Sequence, residues 1–134
     1  MPGIGPRTIR PTRVRNEIRT KRAYERPGPG DGQRILIDRL WPRGLTKRAA
    51  HLADWRQELA PSPGLRTWFG HDPTKFPRFR ELYRQELLRR PDALARLIVD
   101  AERGPVTLVY AAKDTLHSNA TVLQELLREV QKEQ

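Results

Sequence analysis

The sequence predicts an α/β fold in which a small, mainly parallel sheet is flanked by helices. Two short apolar runs without alternation, RILIDRLW at 34–41 and PVTLVYAA at 105–112, are typical of strands buried on both faces. Helical segments join these runs, which is the connection that a parallel pair requires. A length of 134 residues suits a single core.

The first 33 residues are poor in apolar side chains and rich in turn signals. Residues 1–17 combine Pro, Gly and scattered Arg, so they predict a flexible basic arm before a single domain at 18–134. The alternation in 18–24 indicates an edge strand of undetermined direction. PGPGDG at 27–32 predicts a loop and not a phosphate-binding loop, because its spacing fits neither common fingerprint and proline removes amide donors.

The segment after the first buried strand predicts two helices. Thr46 can cap the first helix, which is expected to end before Pro61, and Gly70 ends a short second one. Their inward positions, at spacings of three and four, are Leu52, Trp55, Leu59, Leu65, Trp68 and Phe69. The Trp and Phe residues at helical spacing are expected in the core.

Three further helices have clear boundary signals. Asp72 followed by Pro73 begins one helix, Pro91 separates the next, and Gly104 ends it. The last helix begins at Ser118 or Asn119. Their apolar faces consist of Phe76, Phe79, Tyr83 and Leu87, then Leu94, Leu97, Ile98 and Ala101, then Ala120, Leu123, Leu126, Leu127 and Val130.

The composition excludes several kinds of chemistry. The chain has no cysteine, so disulfides, thiolate nucleophiles and zinc–cysteine or iron–sulfur sites are excluded. No apolar run approaches the roughly 20 residues that span a bilayer, and the first residues lack the apolar stretch of a signal peptide. We therefore expect a cytoplasmic protein without a membrane partner. The oligomeric state remains open.

The charge permits two explanations. A net charge of +10 suggests a nucleic-acid partner held by phosphate contacts. Residues 1–26 carry 8 basic and 2 acidic side chains, so the rest of the chain is only mildly basic. The excess of Arg, Pro and Ala also matches the codon bias of a GC-rich genome. Sequence alone does not separate these explanations.

Polar side chains cluster after both buried strands. Those after the first are Asp38, Arg39, Trp41 and Arg43, and those after the second are Lys113, Asp114, His117, Ser118 and Asn119. Ligands of parallel sheets bind beyond the carboxyl ends of the strands. If the two strands are neighbours, the sequence predicts that both sets line one cleft.

An anionic ligand is the best prediction for this cleft. Arg39 and Arg43 could hold it bidentately, Lys113 could add a point charge, and Asn119 opens the last helix, whose first amides attract anions. Trp41 could stack on a ring.

A purely structural interpretation remains open for each of these residues. In it, Asp38 pairs with an arginine and Lys113 pairs with Asp114. Ser118 or Asn119 only caps the helix, and Trp41 belongs to the core.

Acid–base chemistry has three candidate residues. His117 and Asp114 precede the last helix, and His71 lies before the Asp72–Pro73 helix start. A solvated or structural role is the alternative for each of them. No metal site is predicted, because no two of His71, Asp72 and His117 share a helix face. His51 is assigned to the surface, and the absence of a dinucleotide fingerprint predicts no cofactor.

Three motifs carry a family resemblance: DRLWPRGLTK (38–47), LAPSPGLRTWFGHDP (59–73) and GPVTLVYAAKDTLHSNATVL (104–123). Together they resemble the YeaO-like branch of the domain-of-unknown-function family 488, over about residues 18–128. The resemblance implies a bacterial, cytoplasmic protein with a three-layer, Rossmann-like arrangement, and it implies no particular activity. Residues 1–17 look like an extension.

The resemblance has a limit and a bearing on the site. Another branch of the family often has cysteines and a Cys-His-Arg motif near the last helix, where this chain reads YAAKDTLHSNA, so thiol chemistry cannot be transferred. The polar residues that match the YeaO-like pattern are Arg39, Arg43, His71, Asp72, Lys113, Asp114, His117 and Asn119.

Two functions compete at this point. In the first, the cleft binds or processes a phosphorylated ligand such as a nucleotide or nucleic-acid component, and an enzyme of this kind would be a hydrolase or lyase without a cysteine nucleophile. In the second, the protein is a non-enzymatic nucleic-acid-associated or regulatory module that uses its basic arm.

Overall fold

A computed structural model describes residues 17–133, which form one sheet of four parallel strands with helices around it. The strands are β1 (Ile18–Arg22), β2 (Gln33–Leu36), β3 (Asp54–Trp55) and β4 (Val106–Tyr110). Their order is β1-β4-β2-β3, so β4 and β2 are the central strands. The α/β prediction is confirmed, and β1 runs parallel to β4. The predicted arm at 1–17 lies, apart from Glu17, outside the described residues.

Within residues 17–133, five α-helices accompany the sheet: α1 (Lys47–Ala50), α2 (Pro63–Phe69), α3 (Phe76–Leu88), α4 (Pro91–Arg103) and α5 (Asn119–Lys132). The boundary signals acted as expected. Asp72 accepts the Thr74 amide at the start of a 3₁₀ turn that leads into α3, and Ser118 caps α5 by accepting the Thr121 amide. Gly70 follows α2 in the left-handed conformation, with φ 53°.

The main core lies between one face of the sheet and helices α2 to α5. Alternate strand residues on that face are fully buried, and the apolar sides of the four helices cover them. The sheet contributes Ile18, Ile35, Val106, Leu108 and Tyr110 to this core, and Ile37 adds to it directly after β2. Because α5 packs directly on β1 and β4, its first turn is held at the carboxyl end of β4.

A smaller cluster covers the opposite face of the sheet. Ala23, Leu36 and Val109 are buried there beneath the partly buried Trp41 and Leu45. The one-turn helix α1 belongs to this side, since the buried Arg34 donates to the Ala50 carbonyl at 3.0 Å. Helices therefore flank both faces of the sheet, but unequally.

The predicted helix from Thr46 to Pro61 is wrong beyond its first turn. His51 ends α1 in the left-handed conformation, with φ 50°. The chain then pairs with the open edge of β2, where the Ala53 amide donates to Arg34 and the Arg56 amide to Leu36, at 2.8 and 2.9 Å. This pairing satisfies strand groups that a helix would leave open, and helix propensity is too weak to oppose it.

Two aromatic side chains expected in the core lie at the surface instead. Trp55 is 37% exposed on the edge strand and Trp68 is 41% exposed on α2. Phe69 and Phe79 are buried and stacked, with ring centroids 4.2 Å apart, as expected. The core prediction failed for Trp55 because its segment is not helical. It failed for Trp68 because α2 buries Leu65 and Phe69 and leaves the Trp68 ring outside, where the Lys75 amine lies 5.3 Å from its centroid.

The connection from β1 to β2 contains no helix. Residues 23–32 cross β4 on the sheet face opposite the main core, where Thr107 donates its hydroxyl hydrogen to the Asp31 carbonyl at 2.7 Å. The predicted PGPGDG loop is thus the crossover of a parallel sheet, shorter than the dozen or more residues that such crossovers usually need. Within residues 17–133, no helix has both the length and the apolar character needed to cross a membrane.

Candidate functional site

A cleft of about 670 Å³ opens at the carboxyl ends of β2 and β4. All eight side chains predicted for the site line it: Arg39, Trp41, Arg43, His71, Lys113, Asp114, His117 and Asn119. Asp38 and Ser118 also lie at its wall. The two strand-end segments therefore converge, because β2 and β4 are neighbours in the sheet.

Asp38 joins the two halves of the cleft. Its carboxylate accepts the Ala111 amide at 2.8 Å and the Asn119 side-chain amide at 3.0 Å. The structural alternative in which Asp38 pairs with an arginine does not hold within residues 17–133, where the end of β4 and the start of α5 donate to its two oxygens. Ser118 caps α5, whereas Asn119 anchors the helix to the segment after β2.

Burial disfavours the charged form of Asp38. Desolvation raises the pKa of its carboxyl above the ordinary value, although hydrogen bonds from Asn119 and Ala111 and the nearby charges of Arg66 and His71 oppose that shift. The carboxyl that joins the cleft loops is therefore sensitive to pH.

Replacing Asp38 with asparagine should remove one component of the pH dependence of stability. The folded protein retains a proton at pH values where the unfolded chain has released it, so wild-type stability should fall as the pH rises from about 4 to the raised pKa. Urea denaturation across that range measures the free energy of unfolding of both proteins. Asn119→Ala removes a hydrogen bond that favours the charged carboxylate, so it should extend the decline in stability to higher pH. A difference in the free energy of unfolding between the wild type and Asp38→Asn that does not change with pH would contradict the assignment.

Two side chains hold the cleft loops from the other side, one from the last residue of β1 and one from the loop that follows it. Arg22 donates from Nε to the Ala112 carbonyl at 2.9 Å and from Nη2 to the Ala111 carbonyl at 3.2 Å. The Tyr24 hydroxyl donates to the Arg43 carbonyl at 2.8 Å. The backbone on both sides of the cleft is thus fixed by side chains from the edge strand and its loop.

The edge segment that replaced the predicted helix also supports the site. Trp55 donates its indole N–H to the Asp38 carbonyl at 2.7 Å, and Gln57 donates to the Arg39 carbonyl at 2.8 Å. The indole of Trp41 donates to the Leu45 carbonyl and meets the Trp55 ring edge-on, with centroids 5.5 Å apart. Trp41 is therefore both part of the small cluster and a wall of the cleft.

Four cationic side chains line the cleft without an ion-pair partner among residues 17–133: Arg39, Arg43, Arg66 and Lys113. The Nε of Arg39 is buried and has no hydrogen-bond acceptor in that part of the chain. Outside the cleft, by contrast, many cations are paired with carboxylates, as in the Arg80–Glu125 and Arg84–Glu129 bridges between α3 and α5. The cleft is consequently a local excess of positive charge.

His117 and Asp114 form a contact at the mouth of the cleft. The His117 Nδ1 lies 2.9 Å from an Asp114 carboxylate oxygen, and the other oxygen accepts the amides of Leu116 and His117. The side-chain hydrogen bond from His117 lowers the pKa of Asp114. The alternative in which Lys113 pairs with Asp114 is wrong, because the carboxylate is committed to the histidine loop.

His71 reaches the cleft from the opposite wall. It follows Gly70 and has φ 59°, a left-handed conformation that is uncommon outside glycine. Its ring lies 6.2 Å from that of Phe69. Within residues 17–133, no group of three or more histidine, aspartate and glutamate side chains is arranged to hold a metal ion.

Sequence reasoning missed Arg66, Tyr24 and Leu40 as cleft residues. Arg66 follows the inward-facing Leu65 in α2, and only the position of that helix over the cleft shows that the Arg66 side chain lines the cleft. Leu40 belongs to the strand-end segment that was singled out, but it carries no polar group. Tyr24 follows an edge strand whose direction was open, so the strand-end rule could not be applied to it.

The fold and the site define a parallel α/β protein with a cationic cleft at the carboxyl ends of its central strands. Residues 17–134 match the family described as the inactive DUF488-N3 subclade, and the chain belongs to it.

Similar proteins of known bacterial source have no assigned activity in their names. The uncharacterised protein YeaO of Escherichia coli (strain K12) is 41% identical over 111 residues, which cover 83% of this chain and 96% of that protein. The uncharacterised protein Rv3073c of Mycobacterium tuberculosis (strain ATCC 25618 / H37Rv) is 41% identical over 119 residues, or 89% of this chain and 97% of the relative. No solved structure shows significant similarity to the chain. The predicted YeaO-like membership is confirmed.

Proposed function

We propose that this protein binds a small phosphorylated ligand in the cleft at the carboxyl ends of β2 and β4. The unpaired positive charge in the cleft carries this proposal. Arg39 supplies a buried guanidinium N–H that has no acceptor among residues 17–133, and Arg43, Arg66 and Lys113 add charge around it. A phosphate presents several acceptor oxygens and negative charge, which is the chemistry these groups bind best.

The size of the cleft favours a ligand comparable to a mononucleotide. Sites of roughly 300–1,000 Å³ commonly hold small molecules, and this one measures about 670 Å³. Apolar side chains such as Leu40, Phe69 and Phe79 form part of its wall. A ligand that fills the cleft would therefore combine an anionic end with a less polar body.

Binding is favoured over turnover as the function of this site. The family to which the chain belongs is described as inactive. Should a bound ligand be processed, His117 and Asp114 would be the pair able to transfer a proton, at 2.9 Å from one another. The chemistry would then be hydrolysis or elimination, as the sequence predicted.

The double variant Arg39→Ala/Arg43→Ala should weaken binding by at least about 100-fold, because two charge-assisted contacts of roughly 1.5–3 kcal/mol each are lost. Isothermal titration in about 0.15 M salt, at which surface charges are screened, would measure the affinity for pyrophosphate, ribose 5-phosphate and nucleoside monophosphates. Thermal unfolding without ligand verifies that the variant is folded.

A matched control removes the same charge elsewhere. Arg89 and Arg103 are exposed at the ends of α3 and α4, away from the cleft. Arg89→Ala/Arg103→Ala should bind as the wild type does. Equal affinity of the wild type and the Arg39→Ala/Arg43→Ala variant would refute the proposed site.

The nucleic-acid alternative gives a different result in the same experiment. Oligonucleotide binding that falls steeply with salt and disappears on deletion of residues 1–16 would assign the affinity to the basic arm. Binding of a small phosphate compound that survives this deletion supports the cleft.

A further inference from the structure

Tyr24 presents an aromatic surface to the cleft. Its hydroxyl is engaged, since it donates to the Arg43 carbonyl at 2.8 Å, yet the side chain remains 45% exposed. A tyrosine whose polar end is already bonded offers only its ring to a further partner. This ring lies at the wall of the cleft, beside a backbone segment that also carries one of the unpaired cations.

The ring of Tyr24 is held in place before any ligand binds. The Arg22 guanidinium lies 5.3 Å from the ring centroid, within the range of a cation–π contact. Arg22 is itself fixed by its two hydrogen bonds to the Ala111 and Ala112 carbonyls. A ring fixed at one face and at its hydroxyl loses little conformational freedom when another ring stacks on it.

The neighbouring wall is also suited to a planar apolar group. Leu40 lines the cleft and is 56% exposed, and Trp41 lies next to it with its indole N–H bonded to the Leu45 carbonyl. The cleft thus has rigid aromatic and aliphatic surfaces beside its positive charge. A sugar phosphate would use the charge and leave these surfaces in water.

We infer that Tyr24 stacks on a planar ring of the ligand, which makes the ligand class a nucleoside monophosphate; this inference rests on the proposed function. The hydroxyl of Tyr24 fixes the Arg43 segment, and its ring stacks on the base of the nucleotide. Tyr24 is therefore a specificity-determining residue, whereas Arg39 and Arg43 supply affinity for the phosphate.

Two substitutions at Tyr24 separate the ring from the hydroxyl. Tyr24→Phe keeps the ring and removes the hydrogen bond to Arg43, and Tyr24→Leu removes both. Trp68→Ala is the control, because Trp68 is 41% exposed and lies outside the cleft lining. Each protein is titrated calorimetrically with ribose 5-phosphate and with adenosine, guanosine, cytidine and uridine 5′-monophosphates.

In the wild type and in Trp68→Ala, at least one nucleotide should bind about 10-fold or more tighter than ribose 5-phosphate, the range of stacking on an aromatic side chain. Tyr24→Phe should keep most of this preference. Tyr24→Leu should abolish it while binding ribose 5-phosphate as tightly as Tyr24→Phe does, because both variants lack the hydroxyl. Equal affinity of the wild type for all the compounds would overturn the ring inference and leave the anion site intact. An affinity loss from Tyr24→Phe to Tyr24→Leu that is equal for the nucleotides and ribose 5-phosphate would also overturn it, whereas no binding of any compound would refute the proposed function itself.

Discussion

Replacing Asp31 with alanine should lower the free energy of unfolding by about 3–5 kcal/mol, the range for removing one partner of a buried ion pair. The Asp31 carboxylate accepts from Arg34 at 2.8 Å, from Lys21 at 3.1 Å and from the Gly28 amide at 3.0 Å. The Arg34 side chain is only 2% exposed. Without Asp31, a guanidinium would remain buried beneath the crossover with no compensating charge. Urea denaturation at pH 7 measures the loss.

A second substitution distinguishes an uncompensated charge from lost packing. Asp31→Ala/Arg34→Met removes both charges, and it should recover much of the stability, since apolar replacements of both partners of a buried pair are often tolerated. Glu81→Ala serves as the surface control, because the Arg78–Glu81 pair is 61% exposed on both sides and such pairs contribute little. A loss below about 1 kcal/mol in Asp31→Ala would show that Arg34 finds water or another acceptor.

Asp31 should also contribute to the loss of stability at acid pH. Burial opposes ionisation of Asp31, yet the hydrogen bonds from Gly28, Lys21 and Arg34 prevail and hold the pKa of its carboxyl below the ordinary value. The stabilisation is therefore complete above the pKa of the unfolded chain and is lost as the pH falls through the lower, folded value. In Asp31→Ala, this part of the acid sensitivity should be absent.

Local signals were sufficient for most of the fold. The uninterrupted apolar runs predicted β2 and β4, and the capping and breaking residues Asp72, Pro91 and Gly104 predicted the helix boundaries. These signals work because a cap or a proline acts on the backbone within one turn of itself.

The failed predictions depend on distant parts of the chain. The segment after Thr46 has helical spacing, but its amides pair with the edge of β2. The structural alternative gave Asp38 an arginine partner, whereas its partner Asn119 lies 81 positions away in sequence. No pattern in a short window contains such pairings.

The candidate site was predictable in its location and less so in its detail. The strand-end rule gathered residues from β2 and β4 into one cleft because it depends only on strand direction and adjacency. The rule did not identify Arg66 and Tyr24, because a helix brings Arg66 to the cleft and Tyr24 follows an edge strand. The rule therefore found Arg39, Arg43 and Lys113, three of the four cations to which we assign anion binding, and missed Arg66 and the residue to which we assign ligand specificity.

Replacing Gly32 with alanine should lower the free energy of unfolding by about 3 kcal/mol or more. Gly32 has φ 62°, and a Cβ at this position would lie 2.1 Å from the Pro105 carbonyl oxygen. That oxygen accepts a hydrogen bond from the Gln33 amide at 3.0 Å. The substitution would therefore disrupt the hydrogen bond at the start of the β2–β4 pairing. The backbone strain alone accounts for about 1–2 kcal/mol, and the displaced strand pairing adds the rest.

Two other glycines separate these contributions. Gly44 has φ 76°, and no atom of residues 17–133 lies within 4 Å of its Cβ position, so Gly44→Ala should lose only about 1–2 kcal/mol of backbone energy. Gly64 lies in α2 with open space around it in the same part of the chain, and Gly64→Ala should gain about 0.5–1 kcal/mol. Urea denaturation should thus give the highest free energy of unfolding for Gly64→Ala, a lower one for Gly44→Ala and the lowest for Gly32→Ala. If Gly32→Ala were no worse than Gly44→Ala, the crossover could move away from β4 at little cost, and the close approach at Pro105 would not hold the central strands in register.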